Sequence, residues 1–290
     1  MPARPVLTVP ARLQASAERE PGGLEWLAQL PAALAGLSRR WQLTLGAPFE
    51  AEASCSWVAP ARAAGAPCVL KLALPHFEGA QEIAGLQFWS GDPTVRLLDA
   101  DPELHALLLE RCEPGTPLRA LPEPQQDVVL AGLLQRLWRP APMGDFRSLR
   151  EMLQYWEACA VARRSLWRDT GLVQAGLQLF EALSRPSPSD VLLATDLHAG
   201  NVLQAEREPW LVIDPKPFIG DPAYDATQHL LNCRPRLGAA PQPTLERLAM
   251  LTGQSLERIS LWTFARLAVE CSQPQAPDET LHLARRLSPS

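Results

Sequence analysis

The sequence has no run of basic residues, no apolar run long enough to span a membrane, and no cysteine pair spaced C-x-x-C. The first absence argues against a nucleic-acid partner, whose phosphates call for clustered Lys and Arg. The second leaves no transmembrane helix, which needs about 20 consecutive apolar residues. The start shows no charged segment leading into an apolar one, as a secretory signal would, so a cytoplasmic protein is expected. Six cysteines, Cys55, Cys68, Cys112, Cys159, Cys233 and Cys271, are scattered, and none joins a His/Cys cluster of zinc spacing. They read as small buried apolar residues of a reducing compartment. Glycine is absent between Gly46 and Gly65, which excludes from that stretch a loop of bare backbone of the kind that closes over phosphates.

What is present describes an ordinary globular chain. Its 290 residues leave room for one large domain or two lobes, and 47% hydrophobic with 20% charged residues supply an ample core. The 29 prolines lie mostly between apolar segments and read as loop punctuation. A net charge of −5 is a mild acidic excess that suits a cationic small molecule.

The chain is organised around residues 191–225. Two short apolar runs, Val191–Ala194 and Trp210–Ile213, each lead into an aspartate, Asp196 and Asp214. With polar residues Glu206–Pro209 between them, they read as a β-hairpin that converges Asp196, Asn201 and Asp214 on one spot. Asn201 follows Asp196 by five residues and Asp214 follows it by 18. A kinase catalytic loop has the form H-R-D-x-x-x-x-N, with a second metal-binding aspartate after the next strand. The residue types fit that chemistry. One carboxylate orients a hydroxyl and accepts its proton, while an amide oxygen and a second carboxylate hold Mg²⁺ on the phosphates of ATP. Each residue taken singly also suits a turn; the three in this order carry the reading.

The words DLHAGN and IDPKPFIGDPAYD, with VLKLALP, VRLLDAD and LLLERCEPGTPL upstream, resemble the aminoglycoside and hydroxyurea antibiotic-resistance kinases, the family containing streptomycin 6-phosphotransferase. They fall in order from about Trp26 to Glu270. One departure stands out: the family has His-Gly before the catalytic aspartate, where this chain has Ala194-Thr195.

Along the chain, residues 1–20 are polar and Pro/Ala-rich, as at a poorly ordered terminus. Residues 21–41 read as one or two helices interrupted at Pro31. Trp41–Leu45 and Ser54–Val58 read as strands, and Ala53-Ser54-Cys55-Ser56 either serve as a glycine-free phosphate loop or form a plain turn. Cys68–Leu74 is an apolar strand broken by Lys71, resembling the V-A-I-K strand whose lysine meets the nucleotide phosphates. Glu78 or Glu82, on the next helix, would pair with it; the resemblance selects Glu82. Val95–Asp99 and Leu104–Leu109 read as two more strands. Glu110–Gly115, including Cys112, reads as a hinge whose backbone meets the adenine, or as a simple linker. Helical stripes follow in Val128–Trp138, Leu149–Ala162 and Leu172–Leu183, and further helices are expected around 227–233, 244–252, 256–270 and 279–287.

Together these readings predict a two-lobed, protein-kinase-like α+β fold. A small antiparallel-sheet lobe (1–110) would bind the nucleotide phosphates, and a mostly helical lobe (111–290) would carry the catalytic loop, metal and substrate. The resemblance implies Asp196 as base, Asn201 and Asp214 as Mg²⁺ ligands, and Lys71, oriented by Glu82, on the ATP phosphates. Ser54, Ser56, Glu110 and Cys112 complete the nucleotide set. His198 and Lys216 either reach the γ-phosphate or are structural. Asp221, Asp225 and Glu270 are candidate carboxylates for a cationic substrate such as streptomycin, though Asp221-Pro222 is also a helix start. Hydroxyurea is the smaller alternative acceptor. A non-catalytic nucleotide-binding protein is the rival from another class. A protein kinase is disfavoured because no A-P-E-like segment or long activation loop follows Asp214.

Overall fold

The computed structural model describes residues 8–49, 55–142 and 144–289. The chain divides into two compact units: Met1–Gly115 with Ala205–Arg207, and Thr116–Gln204 with Glu208–Ser290.

The first unit opens with helices α1 (Ala11–Ala17) and α2 (Gly23–Arg40), followed by β1 (Leu43–Leu45), β2 (Ser56–Ala63) and β3 (Ala66–Ala73). A 3₁₀ turn, Glu78–Gln81, leads into α3 (Glu82–Trp89), and β4 (Leu97–Asp101) and β5 (Ala106–Glu110) complete it. Among the described residues the strands form one antiparallel five-stranded sheet in the order β1-β2-β3-β5-β4. Two sequence expectations are corrected. Part of the supposedly loose terminus is α1, held by buried Leu13 and Ala17. Pro31 does not interrupt the following helix, because it removes one backbone donor while buried Leu30, Leu34 and Leu37 hold α2 to the core on both sides of it. That core continues into Trp57, Leu70, Leu72 and Leu108 of the sheet.

The second unit is mostly helical: α4 (Glu123–Leu137), α5 (Leu149–Val161), α6 (Thr170–Leu183), α7 (Pro222–Asn232), α8 (Arg234–Ala239), α9 (Pro241–Thr252), α10 (Leu256–Glu270) and α11 (Asp278–Arg286). Helix α10 is the hub. It buries Ile259, Trp262, Phe264 and Leu267, and packs most closely on α6 and α7. The α6 contact depends on Gly176, where an added Cβ would lie 2.8 Å from the Ala268 Cβ and 3.0 Å from the Ala265 carbonyl oxygen. Among the described residues no helix is long and apolar enough to cross a membrane.

Between α6 and α7 run four short strands: β6 (Val191–Leu193), β7 (Val202–Leu203), β8 (Leu211–Val212) and β9 (Phe218–Gly220). Here the expected hairpin is corrected. Its two apolar runs do not pair with each other. β6 pairs with β9 and β8 with β7, both antiparallel, so one ladder is nested in sequence inside the other. The two residues Val202-Leu203 suffice to bond β8. Both aspartates still lie just beyond strand ends, which is what the site requires.

Candidate active site

In the first unit, Lys71 sits in the middle of β3, between Val58 of β2 and Leu107 of β5. An ammonium at 5% exposure is tolerable only if paired. Its Nζ donates to both oxygens of Glu82, at 2.6 and 2.7 Å, and Glu82 is itself 4% exposed at the start of α3. The choice of Glu82 over Glu78 thus agrees with the geometry.

The hinge residues have other structural employment. Glu110 Oε1 and Oε2 accept from Arg207 at 2.9 Å each. Burial opposes ionisation of this carboxyl, but the Arg207 guanidinium and the Arg96 backbone N–H outweigh it and hold the pKa below the usual value. Cys112 is buried, and burial with the neighbouring Glu110 pushes its thiol up to about 11, so it is an unreactive thiol at neutral pH. Ser56 is buried as the first residue of β2, opposite Ala73. Ala53 and Ser54, half of the expected phosphate loop, lie outside the described residues.

In the second unit, backbone bonds tie the 194–201 loop to the segment after β8. The N–H of Asp196 and that of Lys216 both donate to the Ala194 carbonyl, at 2.7 and 2.9 Å. The N–H of Ile213 donates to the Asn201 carbonyl at 2.9 Å, which seats Asp214 beside Asn201. Thr195 and Asp214 have φ of 46° and 54°, in the left-handed region where a side chain is disfavoured. The Thr195 hydroxyl donates to the Lys216 carbonyl at 2.6 Å, a tie that a glycine there would lack.

The side chains are equally constrained. Lys216 Nζ donates to Asp196 Oδ2 at 2.6 Å, and Gln228 Nε2 donates to Asp196 Oδ1 at 2.7 Å. Asn201 Nδ2 donates to the Asp196 carbonyl at 3.0 Å. With its NH₂ committed there, the amide oxygen points the opposite way. The Asn201 amide oxygen and the Asp214 carboxylate, on segments tied by the Ile213–Asn201 backbone bond, are donor types that suit Mg²⁺, which takes one or two protein oxygens and completes its shell with phosphates and water. His198 Nδ1 accepts from the Gly200 N–H at 3.0 Å. Burial lowers the pKa of this imidazole, Asp196 opposes that and Lys216 reinforces it, so the ring is neutral with its proton on Nε2.

Two of the three expected substrate carboxylates are corrected. Asp221 caps α7 by accepting from the Ala223 N–H at 3.0 Å, and its other oxygen accepts from Arg258 and from Trp262 Nε1 at 2.6 Å. Asp225, 1% exposed, accepts from the Ala194 N–H at 3.0 Å and from Trp138 Nε1 at 3.1 Å. It therefore holds the backbone just before Asp196 and is shut off from any ligand. Burial is the largest influence on its carboxyl and, against these hydrogen bonds, pushes the pKa up to about 6. Glu270 remains accessible. It pairs with Arg234 at 2.6 Å on the wall of a cavity of about 250 Å³ that Trp156, Phe180 and Arg266 also line.

Sequence reasoning missed Gln228 and Arg266. Gln228 lies three positions after Asp225, one helical turn along the same face of α7, and that spacing was the available signal.

A sequence model of the family described as aminoglycoside/hydroxyurea antibiotic resistance kinase matches residues 40–272. The chain belongs to this family. Streptomycin 6-kinase of Streptomyces glaucescens is 38% identical over 282 residues, covering 90% of this chain and 89% of its own. Hydroxyurea phosphotransferase of Kitasatospora aureofaciens is 34% identical over 276 residues, covering 92% and 80%. Solved structures with the same fold include choline kinase LicA from Streptococcus pneumoniae (TM-score 0.59, 12% identity, 90% of this chain and 97% of that one). A thermostable mutant of aminoglycoside phosphotransferase APH(4)-Ia, in ternary complex with ADP and hygromycin B, is similar (TM-score 0.57, 17% identity, 88% and 99%). This resistance-kinase family member is thus a small-molecule kinase of two-lobed, protein-kinase-like fold, with an antiparallel-sheet lobe and a mostly helical lobe.

Proposed function

We propose that the protein transfers the γ-phosphoryl group of ATP, with Mg²⁺, to a hydroxyl of an aminocyclitol antibiotic of the streptomycin kind. The observation that carries the reading is the Asp196 carboxylate. Lys216 and Gln228 hold both of its oxygens, and the carbonyl of Asn201, five residues on, accepts from the Ile213 N–H beside Asp214. Each carboxylate oxygen has a second lone pair left to accept a proton. Asp196 orients the acceptor hydroxyl and takes its proton as the acceptor oxygen bonds the γ-phosphorus and the bond from that phosphorus to the bridging oxygen breaks, releasing ADP. Lys216 holds that carboxylate in place. Asn201 and Asp214 would hold Mg²⁺, which when bound neutralises charge on the phosphate oxygens. Lys71, steered by the buried Glu82, pairs with the nucleotide phosphates. The first unit thus handles the nucleotide phosphates, and the second supplies the base, the metal ligands and the acceptor site.

Streptomycin as acceptor is supported by the streptomycin 6-kinase relatives at 38% identity. A second acceptor, hydroxyurea, is favoured by the relative at 34% identity and by the burial of Asp221 and Asp225. A polycation needs carboxylates to pair with, and of the three expected only Glu270 is left. A phosphoryl-transfer screen with [γ-³²P]ATP and Mg²⁺ against streptomycin, other aminoglycosides and hydroxyurea tests both. Label on streptomycin supports the first reading, and label on hydroxyurea alone replaces it with the second. ATP binding without transfer to any acceptor would overturn the kinase mechanism in favour of a nucleotide-binding protein.

A further inference from the structure

The way Asp196 is aimed goes beyond the base itself, and the inference rests on Asp196 being that base. Lys216, which fixes Oδ2, comes from the adjoining loop. Gln228, which fixes Oδ1, comes from α7, and its own orientation is decided by a third element. Arg266 of α10 donates through Nη2 to Gln228 Oε1. A guanidinium has donors only, so the carbonyl end of the amide must face it and the NH₂ end must face Asp196. A flipped amide would set NH₂ against guanidinium and carbonyl against carboxylate, and both contacts would repel. Arg266 is in turn fixed: it is buried, its Nη1 donates to Thr227 Oγ1 at 2.8 Å, and its guanidinium carbon lies 4.5 Å from the centre of the Tyr224 ring. It also lines the 250 Å³ cavity with Trp156, Phe180 and Glu270.

Helix α7 therefore sets the base twice. Asp225 holds the backbone before Asp196, and Gln228, one turn later, holds its carboxylate. We propose that Gln228, locked by Arg266, is a positioning residue that aims the Asp196 carboxylate at the acceptor hydroxyl and acts on the reaction only through Asp196. It touches neither substrate nor metal in this scheme.

Steady-state kinetics with ATP, Mg²⁺ and streptomycin, or hydroxyurea if only that acceptor is turned over, test the proposal. Gln228→Ala lowers kcat roughly 10- to 100-fold, less than the ~10²–10⁴-fold that a general base supplies. Its KM for ATP stays within about twofold, because the nucleotide contacts are untouched. Added to Asp196→Asn, Gln228→Ala produces no further loss, since its effect has nothing left to act through. Gln228→Glu keeps the length of the side chain and an acceptor for Arg266, so the helix packing survives. It sets a second carboxylate against Asp196, and its kcat falls while its melting temperature holds. Wild-type kcat in the Glu variant, or in the Ala variant, overturns the proposal. So does an equal fold-loss from Gln228→Ala in the wild-type and Asp196→Asn backgrounds. Wild-type kcat in Asp196→Asn alone would instead remove the base assignment beneath it, a separate outcome.

Discussion

Replacing Asp225 by Asn tests how the catalytic loop is anchored. The carboxyl is buried, one oxygen accepts from Ala194 and Trp138, and the other oxygen has no hydrogen-bond partner. Its native pKa of about 6 lies above the unfolded value of 3.8. Between those two values the native state keeps a proton that the unfolded chain has released. The stability this carboxyl contributes is therefore complete below pH 4 and lost as pH rises through 6. A shift of about two units corresponds to about 3 kcal/mol. Roughly 1 kcal/mol of that falls between pH 5 and 8, because most of the difference accrues nearer the unfolded pKa. Asparagine keeps an acceptor for Ala194 and Trp138 and does not titrate. The variant therefore matches the wild type near pH 4 and gains on it steadily as pH rises. Melting temperatures of the two proteins at matched pH give the difference directly and cancel every other titrating group. An advantage of about 2–4 °C should develop for the variant between pH 5 and 8. Parallel melting curves over that range would refute the argument, because the Asp225 carboxyl would then already be ionised in the native protein at pH 5, as it is in the unfolded chain.

Three further outcomes follow from the site. Asp196→Asn should lower kcat by about 10²–10⁴-fold with nucleotide affinity retained, read by single-turnover kinetics beside nucleotide titration. Asp214→Ala should remove the Mg²⁺-dependent part of ATP affinity, and calorimetric titration with and without Mg²⁺ should give equal Kd values. Lys71→Met leaves Glu82 buried without its partner and should cost about 3–5 kcal/mol in chemical denaturation. Adding Glu82→Leu should recover most of that stability while activity stays lost, and a double variant as unstable as the single one would contradict the pairing.

The sequence by itself determined the family and the order of its characteristic residues along the chain. Lys71 on an apolar strand, a glutamate on the next helix, and Asp196, Asn201 and Asp214 at strand ends were legible because local pattern marks each one: a charge in an apolar run, or a polar residue where such a run stops. Tertiary structure decided what each group does beyond that. A hydrophobic run announces burial without naming its partner, so the pairing of β6 with β9 and of β7 with β8 was invisible in the sequence. The fate of the carboxylates was equally non-local. Asp225 is closed off by Trp138, 87 positions away, and Asp221 is held by Trp262, 41 positions away. Pro31 looked like a break because propensity is a local quantity, whereas the buried leucines on either side of it act through the core. The Arg266–Gln228–Asp196 chain joins a loop and two helices whose spacing in sequence carries no sign of contact. Only the packing of α7 against α10 brings an amide, a guanidinium and a carboxylate into one line of hydrogen bonds.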